Sequence, residues 1–302
     1  MEEACRFVSS RGLLASCTFH SENPMSSCGT DTRYLDRVLT NIKPYESIYV
    51  CSELLPYFRN NILPVISVPF VLVTGDSDLS ITDEYKSMIE SPLLTRWFAQ
   101  NAVLKHPKLI QMPIGLDYHT VFANPSHEWV SLGEGITPKE QESLLLSIRN
   151  KALPLQHRLQ KIYVNFGWIS ADRRDALQSI SRDLLWPNLY KIKRTTVWNN
   201  IASTAFVLSP FGNGMDCHRT WEALVLGAIP IIKGHHFDAM LAGLPVLIVD
   251  DWSEITEDLL VSAVKKFSTV DYTKLELRYW TTLMLSSPLT TRPHPPQIYD
   301  LD

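Results

Sequence analysis

Short runs of consecutive apolar residues alternate along the chain with stretches in which apolar residues recur every three or four positions. "SIYVC" (Ser47–Cys51) and "FVLVTGD" (Phe70–Asp76) read as buried strands, and "ELLPYFRNNIL" reads as helical after Pro56. The spacing predicts a helix from about Thr82 to Gln100, with "KLIQMPIGLD" as strand and loop after it. "NPSHEWVSLGEG" (Asn124–Gly135) has no period and reads as loop. Thr137 then opens a helix, with Pro138 at its first position and Glu140 completing a capping box. Beyond it the alternation resumes as "KIYVNF", the helix "DRRDALQSISRDLL", the strand "LYKIK", the run "VWNNIAS", the strand "FVLSP", a helix from Asp216, "IPIIK", "PVLIVDD" and the helix "EITEDLLVSAVKKF".

Strands alternating with helices of this length argue for parallel sheets built from βαβ units. The chain is therefore expected to be α/β, with two Rossmann-like, doubly wound domains. The boundary falls between an N-terminal domain at 1–135 and a C-terminal domain at 136–287, and a proline-rich tail occupies 288–302. Two such domains leave a cleft between the carboxyl ends of their strands, where open α/β sheets bind ligands. Function then depends on the loops that follow each strand.

Composition narrows the partners. The 302 residues are 45% hydrophobic and 20% charged with a net charge of -4, the profile of a soluble globular protein. No basic stripe with interleaved aromatics is present, so no nucleic-acid partner is expected. No apolar run reaches membrane-span length, and "MEEACRFVSSRG" opens on two acids, against a secretory signal. Cys5, Cys17, Cys28, Cys51 and Cys217 lack CxxC spacing and read as reduced thiols of a cytoplasmic protein. The only Asn-x-Ser/Thr run, Asn124-Pro125-Ser126, is blocked by its proline. Nothing in the pattern indicates an oligomeric state.

"VLSPFGNGMDCHRTWEALVLGAIPIIK" (Val207–Lys233) carries the most chemistry. A strand stops at Ser209-Pro210, and Gly212, Asn213 and Gly214 allow close backbone approach. Asp216 is placed as N-cap of the next helix, whose buried stripe is Trp221, Leu224, Val225 and Ala228. His218, Arg219 and Glu222 stand off that stripe near the helix N-terminus, an end that favours anions. An arginine there suits a diphosphate, and a carboxylate one turn on suits ribose hydroxyls. Taken alone, Arg219 and Glu222 read better as an i, i+3 surface pair; the whole constellation at a strand's carboxyl end favours a functional site. The same logic recurs after "KIYVNF": Asn165 ends a strand, Ser170 or Asp172 caps a helix, and Arg173 and Arg174 oppose its dipole unless an anion joins them. Asp76-Ser77-Asp78 follows another strand, where one carboxylate can take a proton from an acceptor hydroxyl. The alternatives for that base are His20 and Asp117, with His119 behind them. The same triplet also reads as a metal-binding D-x-D motif or as plain turn chemistry.

"SPFGNGMDCHRTWEALVLGAIPII" resembles the donor-binding signature of exostosin-like glycosyltransferases, and "MPIGLDYHT" and "LPVLIVDDW" resemble further segments of algal and large-virus members, xylosyltransferases among them. The resemblance is strongest over Lys161–Phe267 and patchy before it. It implies a GT-B fold, a nucleotide sugar held by the C-terminal domain and a glycan acceptor met by the N-terminal one. It implies UDP-xylose as donor substrate, no separate cofactor and no required metal. It places Ser209, Pro210, Asn213, Gly214, Asp216, His218, Arg219 and Glu222 on the donor, with Asn165 and Arg173 beside them and Arg194 and Thr195 toward the base. Family members in animals carry a membrane anchor and a longer N-terminal half, neither of which is expected here. A metal-dependent transferase using Asp76 and Asp78, and a non-catalytic nucleotide- or sugar-binding module, are the rival readings.

Overall fold

Residues 1–22, 24, 31–123, 136–167, 170–190, 192–267 and 270–286 are described by a computed structural model. The first half runs through α1 (Ser10–Ala15), α2 (Arg33–Asn41), β1 (Ser47–Cys51), α3 (Leu55–Tyr57), β2 (Phe70–Gly75), α4 (Lys86–Ile89), β3 (Leu94–Ala99) and β4 (Leu109–Gln111). The chain continues with α5 (Tyr118–Ala123), α6 (Pro138–Lys151), β5 (Leu159–Val164), α7 (Ala171–Ser179), β6 (Leu185–Pro187), α8 (Arg194–Ser203) and β7 (Thr204–Leu208). It closes with α9 (His218–Val225), β8 (Ile229–Lys233), α10 (Asp238–Leu241), β9 (Leu247–Val249), α11 (Glu257–Lys266) and α12 (Leu277–Leu285).

Among the described residues the strands form two sheets, ordered β1-β2-β3-β4 and β6-β5-β7-β8-β9, and every pairing is parallel. β1 and β2 are buried at every position, as strands covered on both faces must be. Tyr49, Val71, Val73 and Phe98 pack with Leu13 and Leu14 of α1, whereas Ile48, Val50, Leu72 and Trp97 pack with Leu35 and Val38 of α2. In the second sheet Ile162, Val164, Phe206 and Leu208 meet α7 and α11, and Tyr163 and Val207 meet α8 and α9. The cluster that holds Tyr49 also holds Val207 and Trp221, so one core runs through both halves. α12 returns to the start of the chain: Leu277 N donates to Arg6 O and Val8 N to Leu275 O, each at 2.8 Å.

The strand order of the second sheet reverses between β5 and β7, which opens a crevice beyond their carboxyl ends. The sequence expectations for β1, β2, β8 and the Thr137–Glu140 capping box agree with this architecture. Three do not. The helix expected over Thr82–Gln100 ends at Ile89, and β3 follows it; Leu94, Trp97 and Phe98 imitate helical spacing within a strand. The strand expected at "LYKIK" lies earlier, at Leu185–Pro187. The helix expected from Asp216 starts at His218, with Cys217 in the cap position. Cys28, the loop at 124–135 and the tail at 288–302 fall outside the described residues. No helix among the described residues is long and apolar enough to cross a membrane.

Gly115 joins the halves at a point where no side chain fits. Its φ is +69°, and a methyl group there would lie 2.2 Å from the carbonyl oxygen of Val8. Gly115→Ala should therefore cost at least ~1–3 kcal/mol of stability, the scale of a residue forced into a disfavoured backbone region. Denaturant unfolding checks this, and an unchanged midpoint contradicts it.

Candidate active site

A cavity of about 420 Å³ lies where the carboxyl ends of the two sheets meet. Ligand sites span roughly 300–1,000 Å³. Its C-terminal wall carries Asn165, Arg173, Arg194, Asn213, Gly214, Asp216, His218, Arg219 and Glu222, and its N-terminal wall carries Asp76, Asp78, Asp117 and His119.

Arginine chemistry dominates the C-terminal wall. Ser170 caps α7 by accepting from Arg173 N, and Arg173 Nε donates to Phe211 O at 3.2 Å. Arg219 Nε donates to Asn165 O at 3.0 Å. Both guanidinium groups sit against one ring, 5.3 and 5.4 Å from the centroid of Phe166. Arg219 Nη1 is buried with no hydrogen-bond partner among the described residues, and burial pulls its pKa down to about 10. Like charges gathered around one phenyl ring repel, and an anion between them would relieve that repulsion. Glu222, 4% exposed, accepts from Arg194 Nη2 and, at 3.2 Å, from Trp198 Nε1; both contacts fall on Oε1. Arg219 and Glu222 are thus not the surface ion pair that their spacing allows.

Asp216 does not cap α9. Its carboxylate is 6% exposed and accepts from Ile114 N at 2.7 Å and from Trp221 Nε1 at 2.9 and 3.1 Å, while its own N–H donates to Asn101 Oδ1 at 2.9 Å. Burial raises its pKa to about 6. His218 Nδ1 donates to Gly115 O at 2.7 Å, so the start of α9 and the loop before it make three hydrogen bonds to the opposite half. The halves also touch at Gly214, where a methyl group would come within 3.0 Å of Asn101 Nδ2 and 3.1 Å of Asp78 Oδ1.

The N-terminal wall is acidic. Asp76 follows β2 with φ +56° and is buried, whereas Asp78 is exposed. Burial lifts Asp76 to about 6 against the opposing charge of Arg11, whose Nη2 lies 3.1 Å from Asp76 Oδ2. Burial also pushes Asp117 upward, but His218, His119 and Arg194 outweigh it and hold the carboxyl well below its usual range. Burial draws His119 down to about 4, and its Nδ1 lies 3.4 Å from Asp117 Oδ1. Behind this pair, burial raises Glu2 to about 7.

Four expected site residues lie away from the cavity lining. Ser209 is buried against Thr220, its Oγ 2.9 Å from Thr220 Oγ1, and the Pro210 carbonyl faces Cys217. Thr195 sits in the first turn of α8, its carbonyl accepting from Asn199. His20 Nδ1 donates to Ser21 O at 2.9 Å, outside the cavity. Conversely, sequence reasoning missed Arg11 and Asn101. The signal for Arg11 is a single charge within the otherwise small and apolar "SRGLLA"; Asn101 shows itself only through its φ of +49° and its contacts. No group of three or more His, Cys, Asp or Glu side chains among the described residues is arranged to hold a metal ion.

Among solved structures, the chain is similar to a crystal structure of an α1,3-fucosyltransferase, at 14% identity over 83% of this chain and 84% of that chain, with a TM-score of 0.33. No family model and no curated protein matches it. A similarity of this size assigns neither substrate nor mechanism.

The raised pKa of Asp216 sets a pH signature. Folding favours its protonated form, so its contribution is present below the ordinary carboxylate value of 3.8 and is lost as pH rises through about 6. Relative to Asp216→Asn, the wild-type protein should lose up to ~1.4 kcal/mol per pH unit across that window and level off above it. Urea unfolding of both proteins from acid to neutral pH measures this, and parallel stability curves would refute it.

Proposed function

We propose that the chain is an inverting glycosyltransferase that moves a sugar from a UDP-sugar to a hydroxyl of a glycan acceptor. The observation that supports this is the division of a single cavity, with Arg173, Arg194 and Arg219 on one wall and Asp76, Asp78 and Asp117 on the other. Guanidinium groups bind phosphate through paired N–H donors, and the N-terminal amides of α9 add to them. Glu222, with Oε1 engaged by Arg194 and Trp198, offers Oε2 to the ribose hydroxyls. Uridine as base and xylose as sugar are the choices favoured by the sequence resemblance.

Asp76 is the preferred base. A carboxylate with a pKa near 6 is ionised at neutral pH yet basic enough to accept a proton during attack. The acceptor oxygen attacks the anomeric carbon as its proton passes to Asp76. The bond from that carbon to the diphosphate oxygen breaks, and its electron pair leaves on UDP. The arginines stabilise the charge on the leaving group, so metal is not required in this reading. The metal-dependent alternative is disfavoured because Asp76 Oδ2 is already engaged by Arg11.

Among UDP- and GDP-sugars, UDP-sugars should give the largest thermal stabilisation. Arg219→Ala should then weaken UDP binding by about 1.5–3 kcal/mol in calorimetry and leave uridine binding nearly unchanged, whereas Glu222→Ala should weaken both. Equal losses for UDP and uridine in Arg219→Ala would mark a structural role instead. Asp76→Asn should reduce turnover by roughly 10²–10⁴-fold with UDP affinity near wild type. EDTA should leave wild-type turnover intact; inhibition by EDTA would replace this reading with the metal-dependent one.

A further inference from the structure

We infer that Arg11 is the positioning residue of this site, fixing the Asp76 carboxylate so that its Oδ1 meets the acceptor hydroxyl. The inference rests on the reading of Asp76 as the base. Arg11 sits on α1 between Ser10 and Gly12, beside the core residues Leu13 and Leu14, and is 8% exposed. Its Nη2 meets Asp76 Oδ2 at 3.1 Å, while Nε and Nη1 are buried with no hydrogen-bond partner among the described residues. A five-donor group has thus been taken out of water for a single carboxylate oxygen. Buried pairs of this kind return little stability for the desolvation they require, which calls for another reason to hold one here.

The other end of the contact is equally constrained. Asp76 keeps φ +56°, uncommon for a residue with a side chain. Its N–H donates to Gln100 Oε1 at 2.8 Å, and Gln100 Nε2 donates to Pro113 O at 3.1 Å. The backbone is thereby held by the residue that follows β3 and the carboxylate by α1. Oδ1 accepts no hydrogen bond from the described residues, and Asp76 lines the cavity. The other titratable groups around it are His218 of α9, Asp117 ahead of α5, and Tyr49 and Cys51 of β1, whose Sγ contacts Asp76 O at 3.5 Å. Burial is the largest influence raising the Asp76 pKa and Arg11 is the largest opposing it. Arg11 therefore leaves Oδ1 ionised and facing the place where the acceptor proton must go. The proton moves from the acceptor oxygen to Oδ1 as the new glycosidic bond forms and the diphosphate departs. Arg11 touches neither substrate.

A double-mutant cycle tests this with UDP release from UDP-xylose, using methyl glycosides and water as acceptors. Arg11→Met should lower kcat at least tenfold, leave the Kd for UDP within twofold, and shift the acid limb of the pH–rate profile upward. In the Asp76→Asn background the same change should cost less than twofold, because the group on which Arg11 acts is gone. Arg11→Lys, which keeps the charge and loses the fork, should recover only part of kcat in the wild-type background and, like Arg11→Met, cost less than twofold in the Asp76→Asn background; it carries the test if Arg11→Met does not fold. Equal losses in both backgrounds, or unchanged kcat in Arg11→Met or Arg11→Lys while Asp76→Asn is inactive, would overturn the role of Arg11 and leave the base reading standing. Full turnover in Asp76→Asn would overturn the base reading, and the role of Arg11 with it.

Discussion

The buried carboxylate of Asp216 is the contact on which the arrangement of the two sheets depends. It belongs to the loop between β7 and α9, yet it accepts from Ile114 N in the other half, and its own amide donates to Asn101. Trp221 Nε1 satisfies the same carboxylate from within α9. A buried ionisable group is tolerated only when its hydrogen bonds are made, and here they can be made only while the carboxyl ends of both sheets face one another. The shape of the cavity follows from that requirement.

Within the cavity, charge is sorted by wall, with Arg173, Arg194 and Arg219 on one side and Asp76, Asp78 and Asp117 on the other. The guanidinium groups of Arg173 and Arg219 are pinned to Phe166 and to backbone carbonyls. Donors oriented in advance lose little freedom when an anion arrives, which is how an electrostatic site reaches its strength in a partly desolvated cleft. On the other wall, His218, His119 and Arg194 hold Asp117 well below the usual carboxylate range, whereas burial lifts Asp76 to about 6. Two carboxylates lining one cavity are thus set to different strengths by their surroundings, a division that elsewhere assigns distinct roles to such groups.

The C-terminal wall of the cavity was legible in the sequence because its residues lie close together along the chain. Glycines, asparagine, arginine and glutamate between a strand and a helix mark a polar loop at a strand's carboxyl end within a few positions. Asn165 and Arg173 could be read similarly, since both follow β5 directly. The N-terminal wall was legible only in part. Asp76 and Asp78 stood out after a strand, but Arg11 and Asn101 join them from distant elements, and no local period encodes a pairing across that distance. β3 escaped detection for a different reason: a parallel strand packed on both faces has no strict alternation, and Leu94, Trp97 and Phe98 fall at helical intervals. The N-cap at Asp216 was misassigned because an aspartate before a helix satisfies the local rule even when tertiary partners take its oxygens.

The return of α12 to α1 bears on how the chain is made. Val8 hydrogen-bonds Leu275, and Leu277 hydrogen-bonds Arg6, so the segment that leads into α1 finds its neighbours only at the far end of the chain. The first sheet leaves the ribosome long before those neighbours exist. Chains synthesised at about 5–20 residues per second carry such an unfinished face for roughly 10–30 s. Leu13 and Leu14 already pack against the first sheet, but the side of α1 toward α12 stays open until α12 itself has been made.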